Sequence, residues 1–206
     1  MTNPIARVHL YLIRHGQSEA NLVITYICKR LKYDNMKYDY LLCSTAVRAK
    51  QTADIALEIM NNDPSKLITS NALLEQSQGS WEGLNRRECY TDEIMQKLDK
   101  LHIDFSAPGG ESIRMLQKRA IEFLKLYIEQ AEQQSIKENR EVSIVAFTHA
   151  NLIRAVLQHY LQSDPKYTWL IIQNNTAISE ILFNEHGMTL VKVNESAHLN
   201  FLIPES

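Results

Sequence analysis

The sequence predicts a three-layer α/β/α domain built on a mainly parallel sheet. Two observations carry that expectation. Short apolar runs rich in β-branched residues alternate with stretches whose apolar residues recur at helical spacing, the pattern of a sheet covered by helices on both faces. The chain then closes on two strand-like runs around Asn184-Glu185-His186-Gly187, which reads as an antiparallel hairpin.

Each element has its own signal. Residues 8–13 (VHLYLI) read as the first strand. Residues 21–32 place Val23, Ile27 and Leu31 at helical spacing, and residues 40–43 read as a second strand. Residues 46–60 predict a helix with Ala49, Ala53, Ala56 and Ile59 along one side, stopped by Asp63-Pro64. Leu67 and Ile68 mark a third strand. Residues 75–90 are irregular, 90–101 helical, and 106–110 a loop. Residues 112–135 predict a long helix whose Ile113, Leu116, Ala120, Phe123, Leu124 and Tyr127 share a face. A buried strand at 142–147 (VSIVAF), a helix at 151–161 ended by Ser163-Asp164-Pro165, and hairpin strands at 177–183 and 188–193 complete the chain. No repeat, low-complexity tract or linker divides residues 1–206, so one domain is expected.

Composition narrows the function classes. The chain has 206 residues, 45% hydrophobic and 22% charged, which excludes disordered and collagen-like chains. A net charge of −2 gives no bulk attraction to nucleic acid, and no nucleic-acid partner is expected. No apolar run approaches the roughly 20 residues that span a bilayer, so no membrane partner is expected either. Residues 1–7 lack the pattern of a signal peptide, and Cys28, Cys43 and Cys89 form no CxxC pair, so a reducing cytoplasm is the expected compartment and small buried hydrophobes the expected role of the cysteines. Glycine is scarce, and Gly16, Gly79, Gly83, Gly109 and Gly110 all fall in the segments that carry chemistry, while Gly187 reads as a turn.

In a parallel sheet, ligands collect at the carboxyl ends of the strands. The first strand runs into Arg14-His15-Gly16-Gln17-Ser18-Glu19-Ala20-Asn21, the second into Ser44-Thr45-Ala46-Val47-Arg48, and the strand at 142–147 into Thr148-His149-Ala150-Asn151. Two imidazoles and two guanidiniums at one sheet edge suit an anion. Arginine offers planar paired donors that match phosphate oxygens, and helix N-termini add backbone N–H groups. A histidine held there can attack phosphorus, a second, charged histidine can hold an equatorial oxygen, and a general acid must protonate the leaving alkoxide.

These segments resemble the histidine phosphatase superfamily, the phosphoglycerate-mutase-like clan. Residues 14–21 are similar to its RHG[EQ][ST]xxN signature, and residues 44–53 (STAVRAKQTA) to S-x-x-x-R-A-x-Q-T-A. Residues 74–83 (LEQSQGSWEG) resemble its acidic, glycine-containing loop, Pro108-Gly109-Gly110-Glu111-Ser112 its P-G-G-E-S, and Thr148-His149 its second histidine motif. Residues 175–179, Asn194 and His198-Leu199 resemble its ending. The resemblance implies a phosphoglycerate-mutase-like fold and a metal-independent histidine acid-base phosphatase without a cofactor. It makes His15 the nucleophile, Arg14, Arg48 and His149 the phosphate clamp, Asn21 a supporting phosphate contact, and Glu75 the general acid. Such an acid must hold its proton near neutral pH, which burial or a neighbouring phosphate would favour. Glu82 is a second candidate acid, Trp81 reads as a packing residue, and Arg86 and Arg87 as a solvated face.

The implied activity is hydrolysis of a small-molecule phosphate ester. Phosphoglycerate mutase-type phosphoryl transfer and phosphate binding with impaired catalysis are the alternatives. Mutases of the family carry a long insertion after the acid, whereas 74 positions separate Glu75 from His149 here, as in the compact phosphatases. The sequence departs from the family pattern in two places. Ala150 stands where glycine is usual. Only 33 positions separate His15 from Arg48, so the segment at 22–39 replaces the usual loop and helix with one expected helix. That helix is expected to turn Arg30 and Lys32 outward, to leave the site open, and to expose Ile24 and Tyr26, an apolar face that a second copy in a homodimer would cover.

Overall fold

The computed structural model describes residues 5–16, 24, 27, 30–32, 38–61 and 63–202. Among these, strands β1 (Val8–Arg14), β2 (Tyr40–Ser44), β3 (Leu67–Ser70), β4 (Val142–Thr148), β5 (Ile178–Asn184) and β6 (Gly187–Glu195) form one sheet in the order β3-β2-β4-β1-β5-β6. The pairs β3–β2, β2–β4 and β4–β1 are parallel. The closing hairpin β5–β6 is antiparallel and joins the sheet antiparallel to β1. Gly187 turns it at a φ of 100°, where a side chain would be strained.

Local chemistry sets the helices. Helix α1 (Val47–Ile59) ends before the Asp63-Pro64 stop, where Asp63 instead caps a single 3-10 turn. Helix α2 (Asp92–Leu101) starts at a Thr91 cap, and residues 86–89 form a separate helical turn within the stretch read as irregular. Helix α3 (Ile113–Glu138) is capped by Ser112, whose Oγ accepts from Met115 N at 3.2 Å, and ends on left-handed Asn139. Helix α4 (Ala150–Leu161) leaves directly from His149.

The sheet divides two apolar layers. On one face Val8, Leu10, Leu12, Ile144 and Ala146 pack with Leu116, Ala120 and Leu124 of α3 and with Leu152, Ile153 and Val156 of α4. On the other, Ile13, Cys43, Val145 and Phe147 pack with Ala49, Ala53 and Ala56 of α1 and with Ile24, Ile27 and Leu31. Strand β4 is buried almost throughout because it is central and covered on both faces. Cys43 and Cys89 are free and buried, as expected, and Cys28 lies outside the described residues. No helix among the described residues is long and apolar enough to cross a membrane.

Ile24, Ile27, Arg30, Leu31 and Lys32 are helical. Ile27 and Leu31 point into the core, as their spacing predicts. Ile24 corrects the expectation of an exposed apolar face, because it is only 2% exposed and packs on Gly16, where an added Cβ would stand 2.5 Å from its Cγ1. Arg30, expected on the outer side, is half-buried and pairs with Glu195 at 3.4 Å. Asn21, Val23, Tyr26 and Lys29 lie outside the described residues.

Candidate active site

The ends of β1, β2 and β4 meet at one edge of the sheet, and register fixes how. Arg14 is paired with Thr148 across β1 and β4, so the next residue on each strand, His15 and His149, falls side by side. Their ring centroids are 5.0 Å apart at 61°, close to the roughly 4.8 Å spacing of neighbouring strands. His15 N donates to Thr148 O at 2.9 Å, which prolongs the ladder past the strand end.

Hydrogen bonding settles both tautomers. His15 Nδ1 faces Gly16 O at 2.6 Å, and a carbonyl only accepts, so Nδ1 carries the proton. Arg48 Nε donates to His15 Nε2 at 3.0 Å, so that nitrogen holds the lone pair. A second nitrogen of the same guanidinium donates to His149 Nδ1 at 3.1 Å, and His149 Nε2–H therefore donates to Ser44 Oγ at 2.8 Å. Burial depresses the pKa of His15 to about 4, with Arg48 and Arg14 adding to the effect. Burial, Arg48 and His15 depress that of His149 to about 3. The second imidazole, expected to be charged, is thus neutral at neutral pH, because it is fully buried among cations.

Arg14 sends a guanidinium N–H to Gln173 O, while its Nε is buried with no partner among the described residues. Burial lowers its pKa even though the charge of Glu75 acts in the opposite direction. Arg48 is exposed at the rim. Thr52, four residues along α1, accepts from Gly16 N at 3.0 Å and donates to Arg48 O at 2.8 Å, tying the His15 turn to the helix of Arg48.

Glu75 follows a single 3-10 turn, Asn71–Leu73, beyond β3. Thr148 Oγ1 donates to Leu73 O at 2.8 Å and draws this turn against β4. Glu75 Oε1 accepts from Gln76 N at 3.0 Å, and Oε2 from Asn151 N at 3.3 Å in the first turn of α4. Its charge is felt by both Arg14 and Arg154. Five of the expected residues, Arg14, His15, Arg48, Glu75 and His149, therefore share this sheet edge, and Asn21 lies outside the described residues.

The second candidate acid has another task. Glu82 Oε1 accepts from Ser77 Oγ at 2.8 Å and from Gln78 N at 3.2 Å, holding an exposed turn. Trp81 packs on Tyr90 and Phe105, as expected. Arg86 lies over the Tyr90 ring at 5.0 Å, and Arg87 is exposed. Ala150 opens α4 without a positive φ, so the position does not require glycine. His15 is half-buried.

Sequence reasoning left Ser44, Thr52, Arg119 and Arg154 without roles. Spacing held a signal for two of them. Thr52 is one helical turn past Arg48, and Arg154 lies at i+3 from Asn151, to whose Oδ1 it donates at 2.8 Å. The chain's ending reaches the site through Thr176, which sits at a φ of 59°, donates its N–H to Arg14 O at 3.0 Å and meets His198 Nε2 at 2.9 Å.

An α/β fold with two neutral imidazoles and two guanidiniums around one sheet edge defines a class of proteins that handle phosphoryl groups. The chain belongs to the histidine phosphatase superfamily (branch 1), whose family profile matches residues 27–196. The 2,3-bisphosphoglycerate-dependent phosphoglycerate mutase of Bartonella henselae is 31% identical over 173 residues, covering 72% of this chain and 79% of that protein. A mycobacterial glucosyl-3-phosphoglycerate phosphatase has the same fold, with a TM-score of 0.76 at 17% identity over 92% of this chain and 99% of its own. The alpha-ribazole phosphatase of Shigella flexneri also shares it, with a TM-score of 0.70 at 20% identity over 92% of this chain and 97% of its own.

Proposed function

We propose that the protein is a metal-independent phosphomonoesterase that works through a phosphohistidine at His15. One observation carries the reading. The Arg48 guanidinium bridges His15 Nε2 and His149 Nδ1, so the lone pair of His15 Nε2 and a movable cation converge where a phosphoryl group would lie. An incoming phosphate monoester draws Arg48 onto its oxygens, which frees His15 Nε2. Arg14, whose Nε has no partner among the described residues, and the helix N-terminus at Ala150 complete the electrostatic cradle.

The lone pair of His15 Nε2 then forms a bond to phosphorus as the ester P–O bond breaks. The electron pair leaves with the alkoxide oxygen, which takes the proton that Glu75 gains when the phosphate dianion binds beside it. Gly16 O, accepting from Nδ1–H, stabilises the positive charge that develops on the ring. Glu75 next removes a proton from water, which attacks the phosphohistidine and releases inorganic phosphate.

Phosphoryl transfer between phosphoglycerates is the second reading, favoured by the identity to phosphoglycerate mutases. The short interval between Glu75 and His149 favours hydrolysis. A panel of phosphate monoesters assayed for released phosphate, beside a phosphoglycerate assay primed with bisphosphoglycerate, separates the two. Hydrolysis inhibited by vanadate and indifferent to EDTA supports the proposal. Transfer without hydrolysis overturns it in favour of the mutase, and metal-restored activity after EDTA overturns the metal-free mechanism.

A further inference from the structure

One guanidinium outside the proposed catalytic set divides its donors between Glu111 and the segment that leads to Glu75. Arg119 lies on α3, two turns in from the Ser112 cap, and its side chain reaches back toward the helix N-terminus, as helical side chains do. Its Nε donates to Glu111 Oε1 at 2.7 Å, and one terminal nitrogen to Glu111 Oε2 at 2.8 Å, a paired contact. The same terminal nitrogen donates to Leu74 O at 2.8 Å and Glu75 O at 3.1 Å. The other donates to Ala72 O at 2.8 Å and Asn71 O at 3.3 Å.

Four carbonyls of residues 71–75 therefore converge on one cation. Such convergence is unfavourable without a charged donor, and the five N–H groups of arginine supply the bonds that the three of lysine cannot. Glu111 orients the guanidinium and is itself fixed, because its backbone carbonyl accepts from Gln76 Nε2 at 2.7 Å. Gln76 Oε1 in turn accepts from Asn151 Nδ2 at 3.1 Å, beside the backbone N–H that meets Glu75 Oε2. The backbone of Glu75 is thus anchored to α3 and its carboxyl to α4.

We infer that Arg119, oriented by Glu111, is a positioning residue for the Glu75 carboxyl, holding the proton donor against the leaving-group oxygen. The inference rests on the proposed role of Glu75. Misplacing a reacting group by about 1 Å can cost on the order of 100-fold, so the loss in Arg119→Lys should fall on the step that needs the proton.

The test uses the full chain with an alkyl phosphate, whose leaving group needs protonation, and nitrophenyl phosphate, whose leaving group needs little. Arg119→Lys keeps the charge and loses the fork, and Glu111→Gln loosens the same anchor if the first variant folds poorly. Expected is a kcat loss on the alkyl ester about tenfold or more beyond that on nitrophenyl phosphate, with vanadate inhibition nearly unchanged. Glu75→Gln combined with Arg119→Lys should be no slower on the alkyl ester than Glu75→Gln alone. Equal losses on both esters, multiplied losses in the double variant, or collapse of vanadate binding would overturn the inference while Glu75→Gln still discriminates between esters. If Glu75→Gln does not discriminate, it is the reading of Glu75 that fails.

Discussion

Arg48 donates its Nε–H to His15 Nε2 at 3.0 Å, so a cation caps the one nitrogen of that imidazole with an available lone pair. The resting site holds its proposed nucleophile paired rather than bare, and an anion must outbid an imidazole for the guanidinium. A phosphate dianion does so readily, because it meets the guanidinium with opposite charge and two oxygens matched to its paired donors, where the imidazole offers one neutral lone pair.

His15→Ala should abolish turnover. Wild-type protein quenched during turnover should carry one phosphoryl group that is stable in base and lost in acid, mapped by mass spectrometry to His15. Phosphate recovered on serine or aspartate would contradict the assignment.

Glu75→Gln removes the transferable proton and keeps the shape. General acids contribute roughly 10²–10⁴-fold, so kcat on alkyl phosphates should fall within that range and on nitrophenyl phosphate far less. Glu82→Gln, which loosens only the exposed turn at Ser77 and Gln78, should leave that selectivity intact. A larger selective loss in Glu82→Gln would move the acid role.

The acid limb of kcat/KM reports the free enzyme. His15 attacks only when neutral, and burial, with Arg48 and Arg14, places its pKa at about 4. The limb should therefore lie near pH 4 instead of the ordinary 6.5, with kcat/KM falling about tenfold per pH unit below it. Arg48→Gln removes one of the cations and should move the limb upward, while burial keeps it under the ordinary value. Limbs are measured with the substrate's own ionisation taken into account, and a wild-type limb at 6.5 would refute the argument.

Away from the site, His9 on β1 meets Glu180 on β5 at 2.9 Å, and Lys192 meets the same carboxylate at 2.7 Å. The bond to Glu180 raises the His9 pKa, outweighing burial. Burial pushes Glu180 up, but bonds from His9 and Lys192 win and hold it at about 2. A raised histidine contributes stability below its unfolded pKa near 6.5 and loses it as pH rises through the folded value. A depressed carboxylate contributes above its unfolded pKa and loses it as pH falls towards about 2. Thermal unfolding should thus show highest stability from this cluster between about pH 5 and 6.5. His9→Gln should flatten the alkaline side of that profile, and an unchanged profile would dismiss the cluster.

Gly79 has a φ of 52°, and a Cβ there would stand 2.4 Å from Pro108 O and Gly110 N, both backbone. Gly79→Ala should cost about 1–3 kcal/mol through overpacking and strain. Gly83, at a φ of 80° but with open space around it, should cost only about 1 kcal/mol in Gly83→Ala. Denaturant midpoints check the order, and equal effects would show that the two loops can separate freely.

What the sequence made legible follows from the range of the forces involved. Strands, helices and the closing hairpin rest on local periodicity and turn chemistry, and the bounds of β1, β4 and α1 lie within a residue or two of the expectation. The five residues that share the sheet edge were legible because each sits on or beside a strand end or within a short motif. The neutrality of His149 was not, since it depends on how deeply β4 is enclosed. Nor was Arg119, whose carbonyl partners lie 44 to 48 positions away along the chain. Ile24 was misjudged because helical spacing gives a face but not what that face meets, and Gly16 meets it only once β1 is folded.

The in-register pairing of Arg14 with Thr148 has a last consequence. His15 and His149 extend from the two innermost strands, the part of a sheet that opens only when the whole molecule unfolds. The Glu75 segment is a loop hung on side-chain bonds, and such segments open at lower free energy. Gentle warming or dilute urea should therefore disconnect the proposed acid while the proposed nucleophile stays assembled. Under those conditions slow esters would stop turning over before activated ones, and the amide proton of His15 would still resist exchange with deuterated solvent.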